Sequence, residues 1–140
     1  MAGSIYQLRA AMKTAAAVTA GGFTMSASRI VLGYKPMTAD NTFFQTILTD
    51  GPWLQIRPGQ KQEHMTLGTS RISTYSVMSD LWIGLDRESA DAFTNIETLL
   101  EAIDAAWVGY PTTWAAPEIY TGRNPALVYY ELESEVMAGC

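Results

Sequence analysis

Three glutamates, Glu131, Glu133 and Glu135, alternate with Leu132, Ser134 and Val136. In an extended strand this spacing puts the carboxylates on one face, about 6.5–7 Å apart. Neighbouring carboxylates can do acid–base work, or hold Ca²⁺ or Mg²⁺ when ligands from elsewhere join them. A row of like charges is also a wall that repels a polyanion such as duplex DNA. The plain alternative is a solvated outer face of a strand. A second group is basic: Arg57, Lys61, His64 and Arg71 fall in a stretch with one acid, Glu63. These cations suit an acidic partner surface. The stretch lacks the interleaved aromatics on which single-stranded bases stack.

Other chemistries lack their residues. His64 is the sole histidine and Cys140 the sole cysteine, which excludes a disulfide framework, a Cys-based zinc site and a multi-histidine metal site. Nucleophilic catalysis needs a base beside the nucleophile, and no such set stands out. Gly21-Gly22 does not open a phosphate loop, because no Lys-Ser/Thr follows. The expectation is a protein that is not an enzyme and carries no cofactor and no metal.

The 140 residues suit one domain, 1–140, with 48% apolar and 16% charged residues, enough for a packed core. The net charge of -5 conceals a split. Residues 1–79 hold seven Lys/Arg and three Asp/Glu, and residues 80–140 hold two and eleven. A broadly basic nucleic-acid footprint is excluded. No apolar run approaches the ~20 residues of a membrane span, and the expectation is a cytosolic protein without membrane contact.

The elements that must position these groups follow from periodicity. Residues 4–20 predict a helix with Ile5, Leu8 and Met12 on one side, Arg9 and Lys13 on a polar face, Ser4 as cap and Gly21-Gly22 as stop. Residues 29–34 predict a short strand, and 41–49 a short helix or strand. Residues 53–57 predict another strand, broken by Pro58-Gly59, and 59–70 a polar loop or hairpin arm. Residues 71–85 predict a long strand with both faces partly apolar, central in a sheet or packed on a neighbouring subunit. Asp86 or Ser89 caps a second helix, whose stripe is Phe93, Ile96, Leu99, Leu100, Ile103 and Trp107. Residues 110–126 read as an aromatic, proline-rich loop, in which Trp114 is an interface anchor or folds back on the sheet. Residues 127–137 predict the clearest strand. The fold class is α+β: a mainly antiparallel sheet, an N-terminal helix and a second amphipathic helix packed on it, and a long β-hairpin arm.

This order resembles the tail terminator, or tail-completion (neck), proteins of long-tailed bacteriophages. The likeness rests on a helix, a strand near a proline, a polar hairpin leading into Ser73–Leu85, an amphipathic helix at 89–108 and a closing strand at Ala126–Val136. It spans most of the chain and is architectural, with no signature matched residue by residue. The 33–52 segment, with Phe43-Phe44, is longer than the family pattern suggests. The resemblance implies a hexameric virion ring at the tail neck, assembled in the host cytoplasm. Its implied partners are copies of itself, the tail-tube protein and a head-completion or connector protein. DNA would pass through its channel without sequence-specific binding. Glu131, Glu133 and Glu135 are then candidates for the channel wall. Arg57, Lys61, His64, Arg71, Tyr75, Trp82 and Trp114 are candidates for subunit or tube contacts. The alternatives are a tail-tube or other connector protein, or a small non-viral α+β ligand-binding module.

Overall fold

The structure is a computed structural model and describes residues 5–33, 47–48, 51–86, 88–120 and 126–139. Helix α1 spans Ile5–Ala15 and helix α2 spans Ala92–Ala106. The strands are β1 (Thr19–Ala20), β2 (Phe23–Thr24), β3 (Ile30–Leu32), β4 (Trp53–Ile56), β5 (Gln60–Leu67), β6 (Ser70–Leu85), β7 (Thr112–Trp114), β8 (Glu118–Tyr120) and β9 (Ala126–Gly139). This is an α+β fold with a mainly antiparallel sheet, as the periodicity predicts.

The main sheet runs β3-β4-β6-β9-β7, with β5 also on β6 and β8 also on β9. Only β3 and β4 pair in parallel among the described strands. Strands β4 and β5 form one broken lane along β6, interrupted at Pro58-Gly59, where proline has no N–H to donate. Strands β7 and β8 form a second broken lane along β9. The long strand β6 is therefore central, flanked by β4 and β5 on one edge and β9 on the other.

Both helices contribute to the core on one face of the sheet. Met12 and Ala16 meet Ile96, Leu99, Leu100 and Ile103, and together they join Val77, Leu81, Ile83, Val128, Tyr130 and Leu132. Each such large side chain stabilises the fold by about 1.5–3 kcal/mol when fully buried. The indole N–H of Trp107 donates to the Met12 carbonyl at 2.9 Å, tying the end of α2 to α1. At Gly59 an added Cβ would lie 2.6 Å from Ile5, so the missing side chain lets α1 lie close to the strand break.

Several sequence expectations need correction. Helix α1 stops at Ala15 instead of 20. The β-branched Val18 and Thr19 lead into a β1–β2 hairpin, and Gly21-Gly22 forms its turn. Arg9 is buried, with Nη2 donating to the Ile56 carbonyl at 2.7 Å, so it does not share an exposed face with Lys13. Arg29 lies in a 3-10 turn before β3. In α2 the N-cap position belongs to Asp91, and Asp86 instead accepts from the Glu88 N–H at 3.0 Å. Phe93 is 39% exposed and lies outside the buried stripe. The loop at 110–126 contains β7 and β8, which gain their order by pairing with β9. Ser4, Tyr34, most of 41–49 and Cys140 lie outside the described residues. Among the described residues, no helix is long and apolar enough to cross a membrane.

The hairpin turn gives a paired test. Gly21 has φ +61°, and a Cβ there would sit 2.1 Å from the Asn95 carbonyl oxygen in α2. Gly22 has φ +82° with nothing within 4 Å. Gly22→Ala is expected to cost only the left-handed strain, about 1–2 kcal/mol. Gly21→Ala adds the clash with rigid helix backbone, about 1–3 kcal/mol more. Denaturant unfolding of both variants checks the ranking; equal losses would show that the hairpin does not rest on α2.

Candidate functional site

The sheet face opposite the helices carries the polar chemistry. Pairing sets its residues side by side: Gln55 opposite Asp80, Asp80 opposite Glu131, Met78 opposite Glu133 and Ser76 opposite Glu135. The three glutamates are exposed on this face, as their alternation predicts, while Leu132 and Ser134 point into the core.

Asp80 is the centre of the face. It is only 3% exposed, in the middle of the central strand. A buried carboxylate is costly unless donors surround it. Four bonds do so here. Gln55 Nε2 donates to Oδ2 at 3.0 Å, and Arg57 Nε to the same oxygen at 2.8 Å. Arg57 Nη2 and the Tyr129 hydroxyl both donate to Oδ1. Arg57 Nη2 also reaches the Tyr129 oxygen at 3.1 Å and Glu131 Oε2 at 2.9 Å. One guanidinium thus joins β4, β6 and β9 in a single clamp.

The electrostatics follow from this geometry. Burial alone pushes the Asp80 carboxyl up, but the bonds from Arg57, Tyr129 and Gln55 outweigh it and hold its pKa below the usual value. The Arg57 guanidinium is raised above its ordinary value, chiefly by its hydrogen bond to Asp80. Burial, and then the bond to Asp80, raises the Tyr129 phenol. Each group therefore keeps one protonation state around neutral pH. The clamp acts as a structural lock, with no group poised to exchange protons.

Beside the clamp lies a groove of about 410 Å³ between β9 and the β7–β8 lane. Glu131 and Glu133 form one wall, Trp114 and Ala115 the other, and Met78 and Tyr129 contribute apolar surface. Trp114 is half-buried, lies opposite Leu132 and packs against the core, so its side chain folds back on the helix side of the sheet while the residue borders the groove. The other half of the face is apolar: Ile47 covers Trp82 and Leu127, with Trp53 and Tyr129 against them. The Trp82 and Tyr129 rings are 4.6 Å apart, tilted by 33°.

The contact candidates therefore divide. Trp82 is 7% exposed and is a covered core residue instead of a contact residue. Tyr75 is half-buried against the core cluster. Arg57 is committed to Asp80 and Glu131 and is no free cation for a partner. Lys61, His64 and Arg71 do lie on an exposed hairpin arm, β5–β6. Arg71 Nε donates to His64 Nε2 at 3.2 Å. The His64 pKa is lowered, by desolvation and by the charges of Arg71 and Lys61. Among the described residues, no three His, Cys, Asp or Glu side chains gather as a metal would require.

Asp80, Gln55 and Tyr129 are the residues that sequence reasoning missed. The available signal was Asp80 itself, an acid inside a strand with two partly apolar faces, sharing the parity of Met78 and Trp82. Such a residue demands a cation on a neighbouring strand.

Asp80→Asn is expected to destabilise the fold by about 3 kcal/mol, the lower end for breaking a buried pair, because Arg57 can partly rehydrate. The native Asp80 contribution is complete above the ordinary carboxylate pKa of 3.8 and is lost as pH falls through its lowered folded value. Urea titrations across acidic pH should show a stability loss in the wild type that Asp80→Asn lacks. Parallel pH curves for the two proteins would overturn this assignment.

No family model matches the chain, and no curated protein matches it.

Proposed function

We propose that the chain is a structural virion protein that assembles into a ring at the head–tail junction. The ring, a hexamer in the family it resembles, would end the tail tube, join it to the head and leave a channel for DNA. The observation that carries this reading is the β5–β6 arm. Its described side chains from 60 to 71 are exposed on both faces, Met65 by 54%. Its stem is three-stranded, with β9 beside β6 from Ile72 on, and its two-stranded tip has no core of its own, a marginal arrangement that a partner surface would cover. The arm also stands where the family pattern has one, between the first strands and the amphipathic helix.

The mechanism is geometric. Closed head-to-tail contacts set the ring size. One rim meets the tube and stops its growth, and the other meets the connector. Exposed Glu133 and Glu135 are the candidates for the channel wall, where they would repel passing DNA. Glu131 contributes less, because Arg57 offsets its charge.

Native mass spectrometry and electron microscopy, with and without tail-tube protein, test the reading. Discrete rings, alone or at tube ends, are the expected result. Long open tubes of this chain alone would support a tube protein instead. A monomer at every concentration that also ignores the tube protein would overturn the ring.

A further inference from the structure

We propose that the basic face of the β5–β6 arm of one copy docks into the acidic groove of a second copy. This deepens the ring reading by naming the two surfaces that meet and assigns Glu133 and Glu135 to the subunit contact instead of the channel wall; it rests on that reading only for closure of the ring.

Pairing register places the two charge groups on opposite sides of one sheet. Lys61 lies opposite Tyr75, His64 opposite Ser73, and Arg71 opposite Thr66. Residues 71, 73 and 75 share the parity of Val77, which points at the helices. The cations of the arm therefore lie on the helix side of the sheet plane. Glu131, Glu133 and Glu135 lie opposite Asp80, Met78 and Ser76, on the other side. The sheet stands between the two groups, so they cannot pair within one chain.

Neither group is satisfied by the fold. Among the described side chains, no hydrogen bond or ion pair engages Lys61, Glu133 or Glu135, and Arg71 reaches only His64. The groove adds shape to charge. Met78 and Tyr129 offer apolar surface for the stem of a Lys or Arg, and Glu133 stands beside them for the charged head. The arm offers such stems at Lys61 and Arg71 on one face. Two different surfaces meet in this contact, so it is head-to-tail and leaves the pair with one free groove on the first copy and one free arm on the second. Repetition then gives a closed ring or an open filament.

The test uses neutral substitutions, which remove attraction without adding repulsion. One variant carries Lys61→Gln and Arg71→Gln, and the other Glu133→Gln and Glu135→Gln. Both spare the Arg57–Asp80 clamp, and circular dichroism confirms their folding. Sedimentation velocity of the wild type at about 50 mM salt should show assembly that weakens at about 500 mM. Each variant alone should associate about tenfold or more weakly. An equimolar mixture has one intact arm and one intact groove, so it should form a dimer and nothing larger.

Two folded variants that assemble like the wild type would overturn the contact and leave the ring reading standing. A wild type that is monomeric throughout, or a mixture that stays monomeric, also overturns the contact. If the mixture gives dimers while the wild type grows only open filaments, the contact holds and the ring reading fails.

Discussion

A central strand of sixteen residues must have both of its faces covered, and β6 meets that demand in two chemically different ways. Toward the helices it presents Val77, Leu81 and Ile83, which the stripes of α1 and α2 bury. On the other face, Ile47 covers Trp82, and a little further along the strand Asp80 is covered by its own donors. The second arrangement is the more demanding. A slip of one residue in β6 would turn Asp80 toward the helices and Leu81 toward Arg57. An uncompensated carboxylate in that core costs several kcal/mol. Asp80 therefore fixes the register of β4 and β9 on β6 more strictly than apolar packing alone would.

That register positions everything with functional potential. Fixing Asp80 opposite Glu131 sets Glu133 opposite Met78 and Glu135 opposite Ser76, and so aligns Glu131 and Glu133 along the groove with Glu135 next on the same strand face. The same strand carries its pairing on into the β5–β6 arm, so the arm's basic side chains are held on the helix side. The clamp thus sets the two charged surfaces apart, and it shares Tyr129 and Glu131 with the groove.

The elements legible in the sequence are those whose signal is local. The alternation of 127–137, the β-rich run at 71–85 and the 3.6-residue stripe of α2 each carry their own period, and each is an element of the structure. What stayed hidden depends on partners distant in sequence. Strands β7 and β8 have three residues each, too few for a pattern, and exist because β9 offers them an edge. Arg9 and Lys13, four apart, read as a polar helix face. The long stem of Arg9 is instead buried and delivers its charge to the Ile56 carbonyl at the end of β4. The Asp80 clamp needs three registers at once, which no single window contains.

The charges sort themselves by whether the fold uses them. Arg9, Arg29, Arg57 and Asp80 are consumed by backbone carbonyls or by one another, and they lie where strands and turns must be held. Glu131 sits between the groups, exposed yet bound to Arg57. Elsewhere Lys61 and Arg71 lie on the exposed arm, Glu133 and Glu135 on the opposite face of the sheet, and exposed Glu97 and Glu101 on α2. Exposed ion pairs within a monomer contribute little, about 0–1 kcal/mol, so folding alone gives no reason to place the arm cations and the strand glutamates on opposite faces of the sheet. That placement does have a consequence between molecules. It makes an arm-to-groove approach attractive, while arm-to-arm and groove-to-groove approaches repel. A surface so divided discriminates among the ways two copies can meet, and favours the one orientation that can be repeated.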